Sequence, residues 1–168
     1  VPDCSLLAVV PLAALQTADP DLALNNLEQL CNTVSRDDLL AVLGSERERQ
    51  QLLTVLGASP FLTGILCRKA DYLRDLFAAG EIGRAKDEAA MLAELRQRIP
   101  IEATFAELQK GLRLYKCREI LRIGSRDLGG LASLEEVTGE LSALAAASLQ
   151  RAYEVCDRLL RAEYGAPL

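Results

Sequence analysis

Apolar residues recur at steps of three and four along most of the chain, and the breaks in that rhythm carry residues that start or stop helices. Asp19-Pro20 sets a capping side chain before a proline at the first helical position, which predicts a helix through about Val34. Ser35 with Asp38 opens a short helix ending near Gly44. Ser45 caps the next, Glu46 and Glu48 suit the positive end of its dipole, and Gly57 is read as its stop. Ser59-Pro60 restarts the pattern for Phe61, Leu62, Ile65 and Leu66, and a further turn around Tyr72, Leu73, Leu76 and Phe77 runs into Gly80. The phrases Leu39-Leu40-Ala41-Val42-Leu43-Gly44 and Leu52-Leu53-Thr54-Val55-Leu56-Gly57 lie too close together for a solenoid repeat and read as two similar helix ends.

Two long helices fill the second half. One is expected from about Ile101, beyond Pro100, to Leu128, a rod of roughly 40 Å. Gly129-Gly130 ends it, and Ser133 with Glu136 forms a capping box for a second helix reaching about Tyr164. The expected fold is all-α, a multi-helix bundle in which these two form an antiparallel αα-hairpin over about 101–164. A single domain is expected, with short helices over 1–80 and the longer bundle over 84–164. Gly80–Gly83 is its loosest joint.

Composition supports helices packed through aliphatic side chains. Half of the 168 residues are hydrophobic, only 4% are aromatic, and Leu and Ala make up about a third. The chain has no histidine, which removes Ser-His-Asp and Cys-His catalysis and His-ligated metals. Cys4, Cys31, Cys67, Cys117 and Cys156 never form a CxxC pair and are expected as free thiols filling the core in a reducing compartment. The net charge of −5 disfavours nucleic acid and anionic membrane as partners. The apolar run Leu6–Leu15 is short for a membrane span and contains Pro11, and Asp3 stands where a signal peptide carries Lys or Arg. The expected location is cytoplasmic.

The last helix carries Leu134, Val137, Leu141, Leu144, Ala152, Val155 and Leu159 at three-four spacing, with Ser148 as the polar member of the seam. Its expected partner helix begins a matching stripe at Phe105, Leu108, Leu112 and Tyr115, but the same angle then reaches Glu119, Arg122 and Arg126. Arg118, Arg122 and Arg126 stand four residues apart on one face with Glu119 beside them. One reading is a solvated face paired with Glu119, Glu135, Glu136 or Glu140, each exposed pair contributing roughly 0–1 kcal/mol. The other is a docking surface for a neighbouring domain or an anionic ligand, which the guanidinium fork suits.

The run from Leu112 to Leu128, with Arg118-Glu119, Arg122-Ile123 and Arg126-Asp127-Leu128, followed by Val137-Thr138 and Leu141-Ser142-Ala143-Leu144-Ala145, resembles a segment of bacterial glutamine synthetase adenylyltransferases. Leu56-Gly57-Ala58-Ser59-Pro60-Phe61-Leu62 also looks like a helical segment of that family. The resemblance implies a protein of two similar halves, each a helical region followed by a nucleotidyltransferase domain. One half removes AMP from a tyrosine of glutamine synthetase by phosphorolysis, and the other attaches AMP from ATP. It further implies Mg²⁺ and ATP or phosphate for the full-length family, bound at an Asp-x-Asp region, and PII signalling protein and glutamine as regulators.

That catalytic region is not recognised here. The sequence stops at Tyr164-Gly165-Ala166-Pro167-Leu168, about where the family's nucleotidyltransferase domain begins. Asp19-Pro20-Asp21 and Asp37-Asp38 read as helix caps, and Gly124-Ser125-Arg126-Asp127 lies near a helix end instead of between a strand and a helix. No catalytic, cofactor-binding or metal-binding residue is assigned within the chain. The expectation is the helical part of the AMP-removing half, inactive alone, packing on its own nucleotidyltransferase domain and helping present glutamine synthetase. Arg118, Glu119, Arg122, Arg126 and Asp127 are the expected residues of the inter-domain surface or of the mouth of the active site. The alternative is an autonomous helical adaptor without nucleotide chemistry.

Overall fold

A computed structural model describes residues 4–165. Among them are eight α-helices and no strand: α1 Cys4–Ala14, α2 Pro20–Cys31, α3 Arg36–Gly44, α4 Glu46–Ala58, α5 Pro60–Arg68, α6 Glu88–Arg98, α7 Phe105–Leu128 and α8 Leu134–Tyr164. A π-helical stretch, Leu73–Ala78, and a 3₁₀ turn, Glu81–Gly83, lie between α5 and α6. The all-α bundle is what the sequence predicts.

Helix starts follow the local chemistry. Asp19 accepts a hydrogen bond from the Leu22 amide at 2.9 Å, and Ser59 accepts one from Leu62 at 3.2 Å, each with proline next in the chain. Ser35 accepts from the Asp38 amide, and its hydroxyl donates to the Asp38 carboxylate at 2.7 Å. Asp87 caps α6 through the Ala90 amide. Helix α7 begins at Phe105, later than expected, because Thr104 and Glu107 form a capping box in which Glu107 accepts from the Thr104 amide and hydroxyl at 2.8 Å. Helix α2 ends at Cys31, before Val34, as the Asn32 and Thr33 amides turn back to Gln29 and Leu30.

The chain divides into two compact units. The first holds the residues up to Arg84 together with Leu121–Ser133. In it α2 packs on α4, and α3 packs on the π-helical stretch. Leu30, Leu52, Leu53, Leu56, Leu66, Leu73, Leu76 and Phe77 fill the interior without solvent exposure. Asn26 donates its side-chain amide to the Leu56 carbonyl at 2.8 Å, satisfying an acceptor in the last turn of α4. Gly57 lies inside α4 and does not end it. A Cβ there would meet Thr17 Oγ1 at 2.9 Å and the Asp19 carbonyl at 3.0 Å, so its use is close approach.

The second unit holds Ala85–Ile120 and the chain from Leu134 onward. Here α6 packs along α8. Gly111 of α7 lets Ile99 approach, since a Cβ would stand 2.5 Å from Ile99 Cγ1. The buried face of α8 is Val137, Glu140, Leu144, Ala147, Arg151 and Val155. The predicted seam therefore holds only in part: Leu134 is 77% exposed and Leu141 40%. The expected core cysteines are also corrected, since Cys31 is exposed and Cys67, Cys117 and Cys156 are half-buried free thiols. The Cys4 side chain and Ala166–Leu168 lie outside the described residues.

Candidate functional site

The face of α7 singled out by its arginines is neither solvated nor open. Arg118 keeps 7% of its exposure, Glu119 and Arg122 none, and Arg126 2%; of the five expected surface residues, only Asp127 is exposed. Expectation and fold part at a specific point: the turn after the π-helical stretch presents backbone carbonyls to these guanidinium groups. Within the first unit Arg122 Nη1 donates to the Arg84 carbonyl at 2.7 Å, and Arg126 Nη1 donates to Gly83 at 2.9 Å. The Gly80–Gly83 joint is accordingly pinned, with Gly80 taking the left-handed turn at φ 71°. Asp127, on the last turn of α7, is exposed.

Within the second unit Lys86 gathers three helices. Its ammonium lies 2.8 Å from Glu94 of α6 and 3.1 Å from Glu119 of α7, and its backbone amide donates to Glu140 of α8 at 2.9 Å. Arg118 also reaches Glu119, at 2.7 Å. Tyr115 donates to Glu94 at 3.1 Å beneath the Arg98 guanidinium, which lies 5.9 Å from the ring centre. Burial, reinforced by the charges of Glu119 and Glu94, pushes the Tyr115 phenol far above its ordinary value and keeps it a donor. Two cations and three carboxylates thus share a largely dry space, where removing one would leave its partner uncompensated.

A second clamp lies further along α8. Arg151 Nε and Nη2 both donate to the Ile99 carbonyl, at 3.0 and 2.5 Å, and Arg158 donates to the Ala103 carbonyl at 2.9 Å. Arg151 also pairs with Glu154, which accepts from Arg96 and Gln150 as well. The hydrogen bond from Arg96, aided by those from Arg151 and Gln150, holds the Glu154 carboxyl down at about 2.

These inward polar groups are engaged with one another and with backbone carbonyls. A hollow of about 500 Å³ in the second unit has Lys86, Asp87, Glu88, Glu136 and Glu140 on its walls, an acidic lining that opposes nucleotide phosphates. The residues present do not fit the Mg²⁺ that the resemblance implies for the whole enzyme. Among the described residues no group of three or more His, Cys, Asp or Glu is arranged to hold a metal ion, and the inward carboxylates Glu119 and Glu140 are engaged by Lys86. Lys86, Glu94, Arg151 and Arg158 carry these contacts without having been singled out in the sequence. For Arg151 a signal existed, because it shares the three-four spacing of Val137, Leu144, Ala147 and Val155. No single helix among the described residues is long and apolar enough to cross a membrane.

Comparison with known proteins identifies the family. The sequence model of the family described as glutamate-ammonia ligase adenylyltransferase matches residues 49–168. A bifunctional glutamine synthetase adenylyltransferase/adenylyl-removing enzyme of Pseudomonas aeruginosa is 31% identical over 96% of this chain and 17% of its own length. The protein of the same name from Pseudomonas syringae is 30% identical over 92% of the chain and 16% of its own length. That from Nitrosococcus oceani is 41% identical over 60% of the chain and 10% of its own. The chain thus spans no more than 17% of the length of these relatives. No solved structure matches significantly. With the family model covering well over half of its residues, the chain belongs to the glutamate-ammonia ligase adenylyltransferase family.

Proposed function

We propose that this chain is the helical, non-catalytic part of an enzyme that adds AMP to glutamine synthetase or removes it, and that it packs on the nucleotidyltransferase portion and helps present the substrate. The observation carrying this reading is the family match over residues 49–168 on a segment whose inward polar groups are spent on holding helices together. In this reading ATP, phosphate, Mg²⁺ and any PII protein act on the remainder of the full-length protein. Arg118, Glu119, Arg122 and Arg126 are positioning residues: their burial supports a role in setting the path of α7, and exposed Asp127 is the member able to meet a neighbouring domain.

The test is a segment exchange. In the Pseudomonas aeruginosa enzyme the aligned segment is replaced by this chain, and in a second protein it is deleted. The exchanged enzyme should keep AMP transfer to glutamine synthetase and AMP removal, the deletion should lose at least one of them, and the 168-residue chain alone should show neither. Turnover by the chain alone, or full activity in a folded deletion protein, would overturn the reading. Arg122→Met in the exchanged enzyme should lower kcat with little change in KM for ATP, as expected of a group that positions without touching nucleotide.

A further inference from the structure

The outer face of α8 is apolar where its inner face already packs inward. Leu149 is 71% exposed, Tyr153 64%, Leu160 56% and Tyr164 74%. At 100° per residue these four fall within an arc of about 60° and span about 22 Å of helix. Exposed Ala145 and half-buried Cys156 lie on the same strip. Leu144, Ala147, Arg151 and Val155 occupy the opposite side and are buried. A helix greasy on two faces needs two partners. Tyrosines and leucines in a continuous strip, with charged Asp157 and Arg161 paired at 2.6 Å nearby, have the composition of an interface centre with a polar rim.

We infer that this strip is the surface through which the segment docks onto the remaining portion of the longer family protein, taking an aliphatic patch that offers an acceptor to the Tyr153 hydroxyl, since the Tyr164 hydroxyl already bonds Glu163. The inference rests on the function proposed above and names the surface it requires. The occupant follows from two observations. At least 83% of the length of the three relatives compared lies outside the aligned segment, so most of the surface available to cover this strip is in the same polypeptide. The strip also lies wholly within the residues matched by the family model, 49–168, whereas the exposed Leu12 of α1 and Leu15 just after it lie outside them.

Hydrogen exchange over 149–164 is compared between the chain alone and the exchanged Pseudomonas aeruginosa enzyme. Amides there should exchange at least about tenfold more slowly in the enzyme. Leu149→Glu/Tyr153→Glu/Leu160→Glu should abolish that difference and leave the helicity of the isolated chain unchanged, because all three side chains are exposed. Equal exchange in the two proteins, or unchanged protection in the triple variant, would overturn the inference. So would sedimentation of the isolated chain as a dimer at micromolar concentration that the triple variant abolishes, since the occupant would then be a second copy. Exchange is read whether or not the enzyme turns over. An active enzyme with an unprotected strip defeats this inference alone, and an inactive one with a protected strip defeats the proposed function alone.

Discussion

The two units reach stability by different routes. The first is filled by Leu, Val, Ile and Phe side chains, with Asn26 and Thr63 as polar insertions and the arginines of α7 tying down one turn. The second draws on fewer large aliphatic residues and sets Lys86, Glu119, Glu140 and Arg151 among Met91, Leu95, Tyr115 and Leu144. Apolar packing tolerates relaxation around a defect. A dry charge network does not, because each group is solvated only by its partners. The contrast teaches that buried charge here fixes which helices meet, while aliphatic volume supplies cohesion.

The largest expected effect is on the charged side of that comparison. Glu119→Leu removes the buried carboxylate that Arg118 pairs with, leaves Lys86 to Glu94, and should cost about 3–5 kcal/mol in urea unfolding. The combined Lys86→Met/Arg118→Met/Glu119→Leu protein should lose less than Glu119→Leu alone; a greater loss would show that the charges contribute net stability. Next, Leu56→Ala in the first unit should cost about 2–5 kcal/mol, its size reporting how far α2 and α4 settle into the space. Asp19→Ala removes the α2 cap and should cost about 1 kcal/mol.

The smallest effect is one of pH. The Glu154 carboxyl is held at about 2 in the folded chain against an ordinary 4.5, so its contribution is full above 4.5 and is lost as the pH falls toward 2. Acid titration of stability should therefore be flatter for Glu154→Gln in that window. Identical acid limbs for the two proteins would remove Glu154 from the clamp.

The helices were legible because their ends are written locally: Asp19-Pro20, Ser35, Ser59-Pro60 and Ser133 mark starts that need no tertiary information. The interior of the second unit was not. Helical-wheel reading assigns charge to solvent, so Glu140 and Arg151 dropped out of the seam of α8, while exposed Leu134 and Leu141 entered it. The arginines of α7 were found as a set, but not their burial. That depends on carbonyls of Gly83 and Arg84, about forty residues away in sequence, and no periodicity encodes such a meeting. Local pattern makes Gly57 a stop, whereas its place inside α4 against Thr17 is a tertiary contact that no local pattern encodes.

Arg151 and Arg158 grip the chain on either side of the turn between α6 and α7, one at Ile99 and the other at Ala103. The turn itself leaves Ile101 and Glu102 exposed. A protease that severed the backbone at Ile101 or Glu102 would therefore leave both new ends fastened to one rod, and the nicked protein should travel as a single species until denaturant pulls its pieces apart.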